Sequence, residues 1–586
     1  MTGFCGALAR NNDSHAVGAQ QGRLEVAKKV LSRNPEDVTQ TFAEGPVFVV
    51  AFDNGAIHSD RLFVDDGTTL AWVSGDPLIV ADDGVTNDPH ESVTKTTYAI
   101  SHVDKHILAR TTGIFSAISW NRATGNLRLV ADKLALRPVY VYLDATVCLF
   151  ATNLRTLREL AGRPLSIDEQ GFAELMYFGQ CLGPRTIYRN VRILRPGEIL
   201  TVGPTQEQSE FYFDWTAIPR KSGSETDLCG QLYDGFIRSI RRRSRHSTAD
   251  AFLSGGMDSR CVVAGLLDIG CKARTFGMSY PGSADDVIGR IVANAFGLEH
   301  ITHACDPSER LLTNLVPRAL IARDHFPPQS GSAKGARVIW GGDGGSVGMG
   351  HVYLDRRSIG LAAGTLSDDS IYQLFPRLNR LKTHLLRRKK AEHLRGLAVA
   401  GIRSELEAVR SAPPDRRLFY FYLRNDQSRH LYEHFENIDL SGIELLEPFF
   451  DSDFLALVAA HPVESFLNHH LYNCWINQFR TPAGALPWQA YPGHEPCPHP
   501  MPKECVSQWT KGWYAGSRAR RVSDRICAQI LNTKDGRVQK YISYRAVRLL
   551  RLLNRIGIER YNWEVWLARR LFDAITGEQV QMQGMK

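Results

Sequence analysis

Two patterns of apolar spacing divide the chain. Up to about residue 215, short runs rich in Val, Ile, Phe and Tyr recur between Gly, Asn and Asp: 46–52, 70–73, 113–120, 127–130, 139–142 and 147–150. Such runs predict β-strands. Helical spacing is predicted over 154–160 and 167–176. The polar stretch 219–226 is rich in turn residues and predicts a linker. Beyond it the spacing changes. Helix is predicted over 228–243, strand over 249–253, helix over 257–268, strand over 275–279 and helix over 287–296. Strands alternating with helices imply a parallel sheet covered on both faces. Residues 360–480 read as mostly helical, 486–502 as a Pro-rich loop, and 517–575 as amphipathic helices. No internal repeat is found.

Composition narrows the class. A chain of 586 residues fits three or four domain-sized units, or two large ones. With 43% hydrophobic and 23% charged residues, neither a disordered nor a collagen-like chain is expected. No apolar run is long enough to predict a membrane span. The first residues lack a basic start followed by an apolar run, so no secretory signal is expected. Eleven scattered cysteines without a Cys-x-x-Cys pair fit neither a disulfide framework nor a zinc ribbon, and a cytoplasmic location is expected. The net charge of +8 is concentrated at Arg241–Arg243 with Arg245, at Arg387–Lys390, and at Arg518, Arg520, Arg521, Arg545, Arg548, Arg551 and Arg555. These read first as solvated helix faces and second as steering for an anionic peptide or nucleotide. Aromatic residues are not interleaved with them, so no nucleic-acid partner is expected.

The strongest chemical signal is Ala251-Phe252-Leu253-Ser254-Gly255-Gly256-Met257-Asp258-Ser259-Arg260. An apolar strand runs into a Gly-rich turn that opens a helix. The glycines allow close approach of backbone to ligand, and the helix N-terminus presents amides to an anion. This predicts a pyrophosphate-binding loop, with Asp258 placed to hold Mg²⁺. No Gly-Lys-Ser/Thr follows, so it is not a Walker A loop.

The Ser-Gly-Gly-x-Asp-Ser sequence resembles the loop of the ATP-pyrophosphatases, and within them the asparagine synthetase branch, which forms acyl-adenylates that an amine then attacks. Residues 275–280 resemble its adenine-contacting strand, 285–300 the following helix, and 341–350 its second Gly-rich acidic loop. Residues 442–451 resemble its Gly-Val-Glu-Ala-Arg-Val-Pro-Phe-Leu-Asp stretch. In the first half, 131–140, 178–187 and 194–198 are similar to the glutaminase-like domain of the same proteins. The likeness covers about residues 1–510. It implies an α/β chain of two domains. These are an N-terminal glutaminase-like α+β sandwich (Ntn-type, degenerate) over 1–215, and a parallel-sheet ATP-pyrophosphatase synthetase domain with extra helices over 226–515. A helical extension over 516–586 is expected to pack on the synthetase domain.

Departures from the family pattern sharpen the expectation. Glutamine-using members begin Met-Cys-Gly-Ile-x-Gly, whereas this chain has Met1-Thr2-Gly3-Phe4-Cys5-Gly6. Thr2 therefore stands at the nucleophile position, and Cys5 reads as a small buried hydrophobe. The family's Asn-Gly-Glu-x-Tyr-Asn glutamine pocket is not visible in 50–115. Together these imply a scaffold that makes no ammonia. Members of that kind include β-lactam synthetases, carbapenam synthetases and lasso peptide cyclases. Residues 487–498 resemble the Pro-Trp-Gln-x-Tyr-Pro-Gly-His-x-Pro-Cys-Pro signature of the last group. The resemblance implies a macrolactam-forming ligase that adenylates an Asp or Glu side chain of a precursor core peptide and closes it onto the α-amine, with ATP and Mg²⁺ as cofactors. A leader-binding protein and a leader protease are then expected partners. An ammonia-dependent asparagine synthetase or β-lactam-type synthetase stays open as an alternative, as does a catalytically silent scaffold.

The expected site follows from these matches. Leu253, Ser254, Gly255, Gly256, Asp258 and Ser259 would hold pyrophosphate; Phe276, Gly277 and Met278 the adenine; Gly341 and Gly342 the second loop. Asp258 and Asp343 are the metal candidates, with Ser346 where the family carries a second Asp. Asp343 also reads as an acid/base residue, paired with Glu444. Lys503, with Lys511 as second choice, is the expected catalytic lysine. His351 and His494 could contact substrate, although structural roles fit each better.

Overall fold

The computed structural model describes residues 2–10, 14–34, 37–57, 63–80, 89–102, 104–305, 322–323, 325, 337–376, 378, 388–503, 505–507, 517–558 and 561–577. The first half is built on two six-stranded antiparallel sheets. Its strands are β1 (Gly3–Ala9), β2 (Val38–Glu44), β3 (Val47–Asp53), β4 (Phe63–Asp65), β5 (Thr69–Ile79), β6 (Thr111–Asn121), β7 (Leu127–Ala131), β8 (Tyr140–Leu143), β9 (Val147–Ala151), β10 (Val191–Ile193), β11 (Glu198–Val202) and β12 (Glu207–Phe211). One sheet runs β10-β8-β9-β1-β3-β2 and the other β12-β11-β7-β6-β5-β4. Helices α1 (Ser14–Val30), α2 (Pro89–His102), α3 (Lys105–Arg110), α4 (Leu154–Ala161) and α5 (Glu169–Phe178) complete this half.

The period of two along β1 and β3 explains the layering. Phe4, Leu8, Val47, Val49 and Ala51 face the second sheet, meeting Trp72, Phe115 and Leu129. Cys5, Ala7, Phe48, Val50 and Phe52 face the other way, onto Leu24, Ala27 and Leu31 of α1 and Leu157 and Leu160 of α4. Helix α2 covers the second sheet along β5. This is the α+β sandwich expected of the first half. Strand β1 lies at its centre, buried along its whole length.

The second half has a five-stranded parallel sheet, ordered β15-β14-β13-β16-β17. Its strands are β13 (Thr248–Phe252), β14 (Lys272–Ser279), β15 (Glu299–Ala304), β16 (Arg337–Trp340) and β17 (Ile443–Leu446). Helices α6 (Glu225–Arg243), α7 (Asp258–Asp268) and α8 (Ala284–Ala295) alternate with the first strands as the apolar spacing requires. Residues 219–224 form no regular element and lead into α6. The helices of 356–425 and the C-terminal helices Ser517–Asn532, Gly536–Tyr541, Tyr544–Arg555 and Asn562–Thr576 add a second helical layer.

The C-terminal helices dock on the first half, where the sequence suggested the synthetase domain. The Tyr188 hydroxyl donates to the Ala574 carbonyl at 3.0 Å, Arg158 Nη1 to Gly577 O at 2.8 Å, and Arg570 Nη2 to Gly179 O at 3.0 Å. Phe172 of α5 and Tyr541 bring their rings to 4.7 Å. The apolar contact is with α5, and α4 adds the Arg158 hydrogen bonds.

The two halves are tied by buried polar contacts. Arg137 is the centre of these. Its Nη1 donates to Thr2 O at 2.7 Å and to Ser74 Oγ at 3.3 Å, and its Nη2 to Glu444 Oε2 on β17 at 2.5 Å. The ring of Phe435 lies 4.4 Å from its guanidinium carbon. Arg33 and Asp439 add a second pair at 2.7 Å, and Ser452 N donates to Thr112 Oγ1 at 3.1 Å. Burial pushes the Glu444 carboxyl up, and Arg137 opposes that shift. Breaking such a pair strands a buried charge. Glu444→Gln and Arg137→Met should each lower urea-unfolding stability by about 3–5 kcal/mol, whereas Arg137→Met with Glu444→Leu should cost clearly less than the sum of the two.

Candidate active site

The loop after β13 adopts the form its glycines permit. Leu253 N donates to Phe276 O at 2.9 Å, which extends the β13–β14 pairing by one residue. Ser254 N then donates to Ser259 Oγ at 3.0 Å, and the two serine hydroxyls lie 3.1 Å apart. Gly255 N donates to Asp285 Oδ1 at 3.0 Å, while Gly256 N reaches Ser254 Oγ at 3.3 Å. Helix α7 starts here without a side-chain cap, because Met257 holds the N-cap position. Helices α6 and α8 instead begin with Ser224 and Ser283, each accepting a backbone N–H. An uncapped N-terminus keeps its amides and positive dipole end for an anion.

The second Gly-rich loop leaves β16 and lies directly against this turn. A Cβ on Gly342 would sit 2.5 Å from Ser259 N and 2.8 Å from the Asp258 carbonyl carbon. A Cβ on Gly345 would meet Asp258 Cγ at 2.6 Å. Only glycine lets the two loops approach this closely. Residues Gly345–Met349 wind as a single π-helical turn, and this turn delivers Ser346 to Asp258. Ser346 N and Oγ donate to Asp258 Oδ2 at 3.0 and 2.6 Å, and the Tyr472 hydroxyl donates to Oδ1 at 2.5 Å. Burial raises the Asp258 carboxyl above its usual range; these hydrogen bonds oppose the shift and the charge of Asp343 adds to it. A carboxylate offers about four acceptor directions, so Asp258 is oriented yet retains capacity for a cation.

Asp343 completes the centre. Its N–H donates to Glu447 Oε2 at 3.0 Å, and its Oδ1 lies 3.1 Å from His430 Nε2. Asp258, Asp343 and Glu447 put three carboxylates around the two loops, and oxygen donors suit a hard cation such as Mg²⁺, although their ligand atoms are not drawn into one cluster. Glu447 was not singled out from sequence. It stands where the resembling stretch has Val, and an acid replacing an apolar residue was the available signal. It is fully buried, and a Cβ on Gly341 would fall 2.1 Å from its Oε1.

Glu444 requires a correction. Strand β17 pairs Glu444 with Val338 and ends at Leu446, whose carbonyl accepts from Gly341 N at 3.0 Å. Three residues along a strand span about 10 Å, so Glu447 reaches the loop and Glu444 stays behind with Arg137. Of the other expected residues, Leu253–Ser259, Gly341, Gly342 and Asp343 converge at the C-terminal ends of β13 and β16. Phe276, Gly277 and Met278 lie beside them on β14, with the Phe276 ring 5.4 Å from that of His325. Lys503 is exposed, on the segment leading to Val506, which pairs with residues 282 and 284. Lys511 lies outside the described residues.

The Pro-rich loop closes over α7. Gln489 N donates to Gly255 O at 3.1 Å. Arg260, fully buried, donates to the carbonyls of Ala483, Leu486 and Pro487 at 3.1, 3.0 and 2.6 Å, and Trp488 is buried with it. His494 packs on His469 with ring centroids 4.7 Å apart. His351 is sandwiched between Phe419 and Phe466 at 4.7 and 4.9 Å.

An amidotransferase-like sandwich thus stands beside a parallel-sheet nucleotide-type centre. Residues 231–473 match the asparagine synthase family, and residues 93–213 match the glutamine amidotransferase domain. Both halves of the chain are thus similar to domains found in the asparagine synthetase family. A Mycobacterium tuberculosis protein named as a candidate glutamine-hydrolyzing asparagine synthetase is 26% identical over 222 residues, covering 36% of this chain and 33% of that protein. The chain thus spans about a third of that relative's length. A Methanocaldococcus jannaschii protein of the same name type is 24% identical over 254 residues, covering 40% of this chain and 48% of its own. A glutamine phosphoribosylpyrophosphate amidotransferase from B. subtilis aligns with 51% of this chain and 65% of its own at 11% identity, with a TM-score of 0.23, too loose to bear on the fold.

The two histidines beside the second loop carry a pH prediction. Burial, aided by His494, pushes His469 down to about 4, and burial with Arg416 pushes His351 down to about 3. The unfolded chain protonates both near the usual value of about 6.5. It therefore binds more protons than the fold at lower pH, and stability falls as pH drops below about 6.5, by up to about 1.4 kcal/mol per unit and per histidine. His469 adopts φ 64°, which asparagine tolerates. Unfolding measured from pH 7 to 4 should show a shallower acid slope for His469→Asn than for the parent chain.

Proposed function

We propose that this chain is an ATP-dependent ligase that activates a side-chain carboxylate of a peptide and joins it to an amine of the same molecule. It would thus act as a lasso-type macrolactam cyclase. The observation that carries the reading is the state of the glutaminase-like centre. Cys5 is fully buried, and burial holds its thiol protonated. At the position facing that centre stands Thr2. Its hydroxyl donates to Asp53 Oδ1 at 3.2 Å and accepts from Asn54 N at 3.0 Å, and its carbonyl is held by Arg137 and by Ser74 Oγ. With no thiol there to attack glutamine, the amine is free ammonia or one already in the substrate, and the reading takes the second. The likeness of 487–498 to the cyclase signature, and the docking of that loop on Gly255, support a peptide as that substrate.

In the proposed reaction the ATP pyrophosphate lies against the amides of 254–259 and the uncapped end of α7, with adenine beside Phe276–Met278. Asp258 would hold Mg²⁺, which supplies charge neutralisation for the departing pyrophosphate. The substrate carboxylate oxygen bonds to the α-phosphorus as the bond to pyrophosphate breaks, giving an acyl-adenylate. The peptide's α-amine then attacks the acyl carbon, and AMP leaves. The ammonium proton passes to Asp343, which His430 and Glu447 position. Lys503 is the proposed cation for the anionic intermediate. Holding amine and carbonyl together makes closure effectively intramolecular, worth roughly 7–11 kcal/mol. A leader-binding protein and a leader protease would supply the free core peptide in the cytoplasm. Among the described residues no helix is long and apolar enough to cross a membrane.

The test uses purified protein, Mg-ATP and a precursor core peptide released in place by its protease, with peptide mass and AMP followed together. Loss of one water per AMP is expected, and Asp258→Asn should lower both by about 100-fold or more. AMP formed from aspartate and ammonia, with the peptide unchanged, would instead identify an amino-acid synthetase. Absence of ATP binding would identify a silent scaffold.

A further inference from the structure

Beside the helix whose Tyr472 reaches Asp258, three unlike side chains converge. Glu225 opens α6, and His470 and Cys474 lie on the short helix His470–Trp475. Their ligand atoms all lie within 4.8 Å of one another. Glu225 Oε1 is 3.1 Å from His470 Nε2 and 3.3 Å from Cys474 Sγ. Four residues apart on a helix, His470 and Cys474 share one face. Tetrahedral Zn²⁺, with bonds of about 2.0–2.3 Å, spans ligand–ligand edges of roughly 3.3–3.7 Å, close to the two short edges here.

A supporting layer is already built. His470 Nδ1 lies 3.0 Å from Glu495 Oε1, and Asn473 Nδ2 donates to Glu495 Oε2 at 3.1 Å. The Glu495 backbone is fixed in turn by its N–H to Asn468 O at 3.0 Å. A carboxylate on one imidazole nitrogen fixes the ring and turns the other nitrogen outward as a ligand. In this site the outward nitrogen faces Glu225. Two carboxylates around one imidazole favour a cation, and the sulfur selects a first-row transition ion over Mg²⁺ or Ca²⁺.

We propose that Glu225, His470 and Cys474 bind one Zn²⁺-type divalent ion, with Glu495 orienting His470 and water in the fourth position. The side chains of Glu225 and His470 are about half exposed (49% and 50%), so the ion has a path from solvent. The ion would tie the start of α6 to the helix 470–475 and, through Glu495, to the Pro-rich loop. That loop reaches the phosphate-type turn at Gly255, so the ion would act as a brace for the loop. The proposal is independent of the reaction assigned above.

Chelator-treated full-length protein titrated with Co²⁺ tests it by absorption. One equivalent should produce a thiolate-to-cobalt charge-transfer band with intense tetrahedral visible bands, and Zn²⁺ should abolish both. Cys474→Ser should remove the charge-transfer band, whereas Cys505→Ser should keep it. Glu495→Gln should weaken Co²⁺ affinity by about 10–100-fold. Circular dichroism matching the parent chain shows that each variant is folded. No charge-transfer band in the parent chain, or a band that survives in folded Cys474→Ser, would overturn the proposal.

Discussion

Ser346 and Tyr472 donate to opposite oxygens of Asp258, and through that carboxylate three separate segments meet: the turn after β13, the Gly-rich loop after β16 and the helix 470–475. Much of the rest of the site follows from this contact. The loops must approach to backbone distance, so Gly342 and Gly345 cannot carry side chains. The π-helical turn is needed to point both the amide and the hydroxyl of Ser346 at one oxygen. Where the family pattern places a second aspartate, this chain places a neutral donor. The substitution lowers the negative charge at the centre and turns a shared ligand set into an orienting contact. Glu447, just past the end of β17 and beside Asp343, restores a carboxylate from a different segment.

The chain's two halves form a continuous structure. Arg137 reaches from the loop after β7 to the carbonyl of Thr2 and to Glu444 on β17 at once. A guanidinium presents a fixed fork of donors, so the geometry at Thr2 is coupled to that of strand β17. Three residues further along β17's path lies Glu447, in contact with the Asp343 backbone. One short strand thus carries a structural carboxylate facing the first half, and the residue just past its end carries another into the candidate active site.

Much of this was legible in the residues. The alternation of strands and helices from 228 to 296 gave the parallel sheet with boundaries off by a few residues, because each element had both an apolar period and a turn signal. The Gly-rich turn from β13 into α7 was legible because its residue types have few other uses in that order. Strand β1 was not, since Gly3-Phe4-Cys5-Gly6-Ala7-Leu8-Ala9 is buried on both faces and shows no polar alternation. Its glycines answer to a contact far along the chain: a Cβ on Gly6 would lie 2.2 Å from Phe48 O. The choice between Glu444 and Glu447 was also hidden. Both are acids in one stretch, and only the end point of β17 decides which reaches the loop. The docking of the C-terminal helices depends on faces left uncovered by a fold assembled from distant segments, which local spacing cannot convey.

Strand β17 forms one edge of the parallel sheet, and the segment around it is fastened to the first half by Arg137, Arg33 and Thr112. An open sheet edge invites pairing with other chains. The first half emerges earlier during synthesis and is in place before β17 is made. It can therefore serve as the surface on which that edge is received. Selection would then preserve the sandwich for the assembly of its neighbour.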